Sequence, residues 1–167
     1  VVQASLGYYA SNDAGTAVSA GATKETQVTS GNFACLSTNT NTHTGVNIGA
    51  DRACACPTGY FSQVNGATAC NAAQSGYFTV DSSGGAASTG AVGEQIVSQG
   101  YYACTDTDDD TDGTGVNELA AAQCPCPAGK YSGTGATACN TASAGKYTVD
   151  TNDDAANSAA VSVKTAD

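Results

Sequence analysis

The sequence has no Met and no Trp, and only 12% of its residues are charged. Long aliphatic side chains are also scarce, because leucine and isoleucine occur only at Leu6, Leu36, Ile48, Ile96 and Leu119. A chain of this composition cannot bury a large aliphatic core, which is the usual source of a domain's stability. We therefore expect covalent cross-links to stabilise its fold.

Basic residues are few as well. The 167 residues include 5 Lys or Arg against 15 Asp or Glu, which gives a formal charge of -10 at pH 7. This balance argues against nucleic acid as a partner, because phosphates are bound by Lys and Arg. No apolar run approaches the roughly 18 residues of a transmembrane segment. The sequence shows neither an initiator Met nor a signal peptide, so we expect a mature or partial chain.

Eight cysteines can form the expected cross-links. An even number of cysteines in a chain rich in Thr, Ser and Gly is typical of disulfides in an oxidising compartment, which predicts an extracellular or cell-surface protein. Zinc sites favour cysteines about two to four residues apart. The close pairs here, Cys54 with Cys56 and Cys124 with Cys126, have one residue between them, and His43 is the only histidine. The spacing therefore favours disulfides over zinc.

The chain also repeats itself. Related segments begin at Gly7, Gly76 and Gly145, with the starts GYYASNDAG, GYFTVDSSG and GKYTVDTND and a spacing of 69 residues. The repeats share TGVN, C-x-C-P-x-G and ATACN. The third copy stops at Asp167, before its first expected cysteine, so we expect a window cut from a longer tandem array. The predicted organisation is 1–6 as the end of a preceding unit, 7–75 as repeat 1, 76–144 as repeat 2 and 145–167 as a partial repeat 3.

Short alternating segments predict strands. GYFTVD and GKYTVD alternate aromatic or apolar residues with polar ones, and KETQVTSGNFAC and EQIVSQGYYAC are each predicted as one strand leading into a cysteine. The NELAAAQC segment is predicted to form one or two turns of helix. The segments rich in Gly, Asn and Asp are predicted to be reverse turns and loops. The predicted fold class is a small, disulfide-rich, mainly β protein with long loops, extended as a tandem-repeat rod of tens of ångströms per repeat.

The pairing of the cysteines is restricted by geometry. A bond within C-x-C is excluded, because the two side chains point to opposite sides of an extended backbone and the ring would be too tight. A staggered pairing, for instance Cys70–Cys104, stays open and would join one repeat to the next. A closed loop of about 15 residues contributes on the order of 3 kcal/mol of stability. The pairs that we predict are Cys35–Cys54, Cys56–Cys70, Cys104–Cys124 and Cys126–Cys139.

The segments CPTGYFSQVNGATAC and CPAGKYSGTGATAC resemble the C-P-x-G-x-Y…C loop of tumour-necrosis-factor-receptor-like and ephrin-receptor-like modules. In those modules the two bracketing cysteines pair, which supports Cys56–Cys70 and Cys126–Cys139. The tandem, Ala/Thr/Gly-rich setting resembles the immobilisation antigens that coat ciliate cells, which are lipid-anchored, cysteine-rich repeat proteins. The resemblance implies an extracellular coat protein. This chain departs from those families in having C-x-C where they usually have C-x-x-C, and it shows no anchor signal.

The acidic segment TDTDDDTDGTG contains the candidate metal ligands Asp106, Asp108, Asp110 and Asp112. Alternate carboxylates before a glycine match the start of a calcium-binding loop. An EF-hand is rejected, because its bidentate acid would fall on Leu119 and no flanking helices are evident. The pattern favours a solvated acidic loop between Cys104 and Cys124, with a local calcium site that the fold does not require as the alternative. The equivalent loop of repeat 1 has Asn and His in place of these acids.

The sequence predicts no enzyme and no required cofactor. His43 is the only histidine, so no Ser-His-Asp set is supported, and no phosphate-binding Gly loop with Lys is present. No N-x-[ST] sequon occurs, whereas the many Ser and Thr residues suit O-linked glycans. The tyrosines that recur at equivalent places are predicted to form small aromatic cores.

The sequence is compatible with two candidate functions. The first is an extracellular structural protein, the building block of a cell-surface coat or filament whose partners are neighbouring repeats of the same polymer. The second is a calcium-stiffened adhesin or receptor-like ectodomain. The first is favoured, because a window cut within a repeat is natural for a continuous polymer.

Overall fold

The computed structural model describes residues 2–38, 42–105 and 112–166. In this part of the chain the structure is all β, with fourteen strands and no helix. The predicted class, a small, disulfide-rich, mainly β protein, is confirmed. The strands are β1 Tyr8–Ser11, β2 Lys24–Gln27, β3 Asn32–Cys35, β4 Arg52–Ala55, β5 Tyr60–Phe61, β6 Asn71–Ala72, β7 Tyr77–Val80, β8 Gly93–Ile96, β9 Tyr101–Cys104, β10 Ala122–Pro125, β11 Lys130–Tyr131, β12 Asn140–Thr141, β13 Lys146–Val149 and β14 Ser162–Thr165.

Each strand pairs with the next strand along the chain or with the one before it, so the described residues form seven two-stranded sheets. The same hairpins recur with the sequence period. Tyr8 lies opposite Gln27 in β1–β2, and Lys146 lies opposite Thr165 in β13–β14, at equivalent positions of two repeats. An isolated two-stranded hairpin is marginal in water, so disulfides and loop contacts have to supply the remaining stability.

The chain has two compact units. The first consists of Val1–Ala72 with Val80–Gly93, and the second of Ala73–Thr79 with Glu94–Asp167. Each unit has its own small core in which an aromatic ring packs among half-cystines. Phe33 occupies this place in the first unit and Tyr102 in the second, and both are fully buried. Of the recurring tyrosines that were predicted to form small cores, Tyr102 is buried, whereas Tyr8, Tyr77 and Tyr131 are half-buried.

All eight cysteines lie in the described residues, and none of them is free. The bonds follow the pairing that was predicted from the sequence, and the staggered alternative is not formed. Four of the six buried members of the first core are half-cystines, so the sulfur atoms supply packing as well as covalent constraint. The disulfides are Cys35–Cys54, Cys56–Cys70, Cys104–Cys124 and Cys126–Cys139.

The segments predicted as one strand before each first cysteine are two strands. In KETQVTSGNFAC, β2 ends at Gln27 and β3 begins at Asn32, and EQIVSQGYYAC is divided between β8 and β9 in the same way. The turn contains Gly31 or Gly100, whose φ angles are 79° and 82°. Glycine adopts this left-handed conformation without steric cost. The prediction was wrong because strand-like residues continue on both sides of the turn.

The helical turns predicted for NELAAAQC are also wrong. Leu119 has a φ of 62°, which is incompatible with a right-handed helix. Its N–H donates to the Ala73 carbonyl at 3.3 Å, and the Ala120 carbonyl accepts the Thr79 N–H at 3.0 Å. Strand β10 then begins at Ala122. Backbone contacts with a neighbouring segment therefore outweigh the helix propensity of the alanines.

The shared motifs TGVN and ATACN contact each other. In the first unit the Gly45 N–H donates to the Thr68 carbonyl at 2.8 Å, and the Val46 N–H donates to the Ala34 carbonyl at 3.0 Å. A Cβ at Gly45 would overlap the Ala34 carbonyl, and Gly115 is confined in the same way in the second unit. The repeated glycine is thus required where one segment runs between two others.

Three of the described residues other than glycine have positive φ angles, and comparison of the repeats explains each of them. The equivalent position in another repeat is a glycine with positive φ in each case, so the backbone shape belongs to the repeat rather than to the residue. A left-handed conformation costs a residue with a Cβ roughly 1–2 kcal/mol. In the described residues these positions are Leu119 (62°), Asp153 (70°) and Ala159 (52°), equivalent to Gly49, Gly84 and Gly90.

Reciprocal substitutions test this strain. Ala159→Gly is expected to raise the free energy of unfolding by about 1 kcal/mol, and Gly90→Ala to lower it by a similar amount. A Cβ at Gly90 would have Gly31 O and the Ala55 Cβ as nearest atoms, both at 3.9 Å, so strain rather than a clash sets the effect. Denaturant titration measures both changes. Shifts of the same sign would contradict the assignment.

Candidate functional site

The candidate functional site is the contact between successive repeats. We define the first repeat junction as Gly31, Cys56 and Ser62 of repeat 1 with Gly90 and Ala91 of repeat 2, all within the first compact unit. The Gly90 N–H donates to the Cys56 carbonyl at 2.8 Å, and the Ser62 N–H donates to the Ala91 carbonyl at 3.0 Å. Main-chain hydrogen bonds therefore connect repeat 1 to repeat 2 at this junction.

The second repeat junction has the same geometry inside the second compact unit. The Ala159 N–H donates to the Cys126 carbonyl at 2.9 Å, and the Ser132 N–H donates to the Ala160 carbonyl at 3.1 Å. Each of these residues follows its counterpart by 69 or 70 positions. The aromatic residue before each serine takes part too, because Phe61 and Tyr131 form parallel bridges to the respective alanines.

The disulfide loop holds the accepting side of the first junction in place. Cys56 is bonded to Cys70, and its N–H donates to the Gly31 carbonyl at 2.9 Å. The Gly31 N–H donates in turn to the Ser62 carbonyl at 2.8 Å. The C-x-C-P-x-G motif thus directs the Cys56 carbonyl toward the next repeat, and Ser62, three residues after the motif, directs its N–H group the same way.

Close approach at the junction requires glycine. A Cβ at Gly31 would overlap the Gly90 carbonyl oxygen, and a Cβ at Gly100 would overlap the Ala159 carbonyl oxygen. Sequence reasoning did not identify these glycines or the buried Ser62 and Ser132 as interface residues. The available signal was their identity at equivalent positions of both repeats.

The predicted calcium ligands Asp106, Asp108 and Asp110 lie outside the described residues. Asp112 is described, and its Oδ1 accepts the Thr114 N–H at 2.8 Å. Its carbonyl accepts a hydrogen bond from the ammonium group of Lys130. In the described residues no group of three His, Cys, Asp or Glu side chains is arranged to hold a metal ion. The calcium site stays a prediction.

The His43 ring stacks on Tyr60, with the ring centroids 4.4 Å apart and the planes inclined by 11°. The equivalent positions of repeat 2 are Gly113 and Lys130. This stack of an exposed histidine on a half-buried tyrosine is therefore particular to repeat 1 and does not recur with the junctions.

An acidic or amide side chain organises the first turn of each starting hairpin. The Asp81 carboxylate accepts the Ser83 hydroxyl at 2.7 Å and the Ser83 and Gly85 N–H groups at 2.8 and 3.0 Å. These hydrogen bonds, the Ser83 hydroxyl first, lower the pKa of Asp81 below its usual value. Asn12 and Asp150 accept backbone N–H groups at the equivalent turns. The lowered pKa of Asp81 therefore follows from the hydrogen bonds of a turn whose geometry recurs in the repeats.

A cleft of about 430 Å³ opens on the first unit. Its lining includes small apolar side chains, among them Ala10, Val18, Ala20 and Ala22, with Asp51 at the same cleft. The position of Ala22 makes the cleft relevant to the junctions, because Ala22 precedes Ala91 by one repeat period.

The chain matches no protein-family model, no curated protein and no solved structure. In the part of the chain that is described, no helix has the length and apolar character needed to cross a membrane.

Proposed function

We propose that the chain is an extracellular structural protein, a building block of a cell-surface coat or filament. Its disulfide-stapled repeats would extend the polymer by repetition, each repeat contacting its neighbours. The recurring repeat junction is the observation that carries this proposal. Its partners are neighbouring repeats, and its exposed Ser and Thr residues are the proposed sites of O-linked glycans.

The junction suits a structural role because it is built from backbone groups. Main-chain hydrogen bonds between segments give affinity and register without depending on particular side chains. Cys56 and Cys126 supply the accepting carbonyl in the two junctions at 2.8 and 2.9 Å. A contact that is repeated with the same donors and acceptors is suited to continue along an array.

Covalent and electrostatic features support the location. Four disulfides, with no free cysteine in the described residues, fit an oxidising environment outside the cytosol. A formal charge of -10 keeps an exposed surface hydrated and disfavours non-specific association. These features accord with a coat or filament exposed to the medium.

Electron cryo-microscopy of native material, prepared without detergent or reductant, tests the proposal. We expect a filament or ordered layer whose axial repeat corresponds to one 69-residue unit, with the four disulfides and any O-linked sugars visible in the density. Dispersed particles without an axial repeat would contradict the structural function. A screen of calcium and glycans as ligands would then test the adhesin or receptor-like alternative.

A further inference from the structure

We propose that the Cys126–Cys139 disulfide is a reversible modification site, which an external thiol opens by attack on the Cys139 sulfur. The reagent class is a low-molecular-weight monothiol such as glutathione, and the other three disulfides should resist it. The inference goes beyond the proposed function, because the reaction belongs to a single chain and does not require a polymer.

Cys139 differs from the other half-cystines in its exposure. The other seven are each at most 6% exposed, whereas Cys139 is half-buried. Its bonding partner Cys126 is fully buried, so a thiolate reaches this bond from the Cys139 side. Because access to the sulfur is one of the factors that set the rate of thiol–disulfide exchange, this bond should react first.

The first unit shows what covers the equivalent bond. The Cys70 N–H donates to the His43 carbonyl at 2.7 Å, and the His43 ring stacks on Tyr60 with the ring centroids 4.4 Å apart. Tyr60 packs against the core that contains Cys56 and Cys70. One ring therefore lies against the core of this disulfide, and a second ring covers the first.

The second unit keeps the backbone contact but has neither ring. The Cys139 N–H donates to the Gly113 carbonyl at 2.9 Å, and Lys130 stands at the position of Tyr60. A Cβ placed at Gly113 would be 3.2 Å from the Cys139 Cβ, so a side chain at this position would begin directly beside the disulfide. The Lys130 ammonium group also attracts thiolate anions to a chain whose formal charge is -10.

The following repeat contacts the two disulfide loops in the same way. The Gly90 N–H donates to the Cys56 carbonyl, and the Ala159 N–H donates to the Cys126 carbonyl, at 2.8 and 2.9 Å. We therefore assign the greater exposure of Cys139 to the pair of rings that the second unit lacks.

The reaction is a thiol–disulfide exchange in two steps. A thiolate attacks the Cys139 Sγ, the S–S bond breaks, and its electron pair leaves with the Cys126 Sγ as a thiolate. A second thiolate then attacks the sulfur of the reagent in the mixed disulfide and releases Cys139 as a thiolate. Two thiols are thereby oxidised to their disulfide and one protein disulfide is reduced, and an excess of the oxidised reagent reverses both steps.

Opening this bond should loosen the second repeat junction. The Cys126 carbonyl accepts the Ala159 N–H, and the Cys126 N–H donates to the Gly100 carbonyl, both at 2.9 Å. The cysteine that becomes free is therefore the one that orients the junction. The Cys104–Cys124 bond remains and links β9 to β10. The expected product has one loosened junction and an intact first unit.

Thiol mapping of the full oxidised chain tests the site. The chain is treated with reduced glutathione at mildly alkaline pH, quenched by alkylation with N-ethylmaleimide at successive times, and digested for mass spectrometry. We expect glutathione on Cys139 and the alkyl group on Cys126 first, about tenfold faster than any modification of Cys56–Cys70. Hydrogen exchange at the Ala159 amide should accelerate with the same time course. Equal rates at the two bonds, or first attack at another cysteine, would overturn the proposal.

A double variant of the first unit tests the covering rings. His43→Gly with Tyr60→Lys gives this unit the residues of the second, and the Cys56–Cys70 bond should then react about tenfold faster. Tyr9→Lys is the matched control, because Tyr9 is half-buried in the same unit but packs against the core around Val28. Equal acceleration in both variants would indicate general loosening and reject the role of the rings. The wild-type mapping decides the site by itself if a variant fails to fold.

Discussion

Replacing Cys56 and Cys70 together by alanine is expected to lower the free energy of unfolding of the first unit by about 3 kcal/mol. The bond closes a segment with a sequence separation of 14, and loops of this size give a stabilisation of that order in the chain-entropy model. The substitution also removes two buried half-cystines from a core of six residues. Denaturant titration of the oxidised proteins measures the loss.

The two repeat junctions provide an internal control for this variant. Hydrogen exchange should accelerate at the Gly90 amide, which donates to Cys56, and stay slow at the Ala159 amide, which donates to Cys126. In reductant the wild-type protein and the variant should become equally unstable. A stability difference below about 1 kcal/mol under oxidising conditions, or equal acceleration at both amides, would show that this disulfide does not hold the junction.

Gly115→Ala is expected to destabilise the second unit by about 3 kcal/mol or more, which is at the upper end for overpacking a close contact. The new Cβ would overlap the Ala103 carbonyl oxygen and lie 2.5 Å from the Thr137 carbonyl oxygen. Backbone lies on both sides, and no flexible side-chain end can move away. Thermal and denaturant unfolding would measure the change.

Gly133→Ala is the matched control for that substitution. It adds the same methyl group, and no atom lies within 4 Å of its Cβ position. Its effect should stay within about 0.5 kcal/mol, as is usual at unconstrained surface sites. Comparable losses in the two variants would indicate a general cost of replacing glycine and would remove the argument from close packing between the TGVN and ATACN segments.

At the repeat junctions, the segments that carry the disulfides also make the contact on which the proposed function rests. Each C-x-C segment has its two cysteines in different disulfides, and the second cysteine also presents its carbonyl to the next repeat. Gly31 allows the next backbone to approach closely enough for Gly90 to reach that carbonyl. The same short segment therefore stabilises its own repeat and orients the following one, which is economical in a chain with little aliphatic core.

The calcium prediction depends on the loop conformation as well as on the local sequence. Alternating aspartates indicate that oxygen ligands are close in sequence, which is a local property. Whether they converge on one ion depends on the path of the loop, and three of the four predicted ligands fall outside the described residues. At Asp112 the structure adds the nearby Lys130 ammonium, a contact that the sequence pattern did not indicate.

The sequence by itself determined the disulfide-rich β class, the period of 69 residues and a pairing of the cysteines that the structure shares. These features follow from composition, spacing and the geometry of C-x-C, which are properties of short segments or of counting. Only the tertiary structure decided that β2 and β3 separate at Gly31, that NELAAAQC is not helical at Leu119, and that Cys56 accepts a hydrogen bond from Gly90. Those outcomes depend on backbone groups that are far apart in the chain, and their hydrogen bonds and close contacts outweigh the local preferences that a sequence displays.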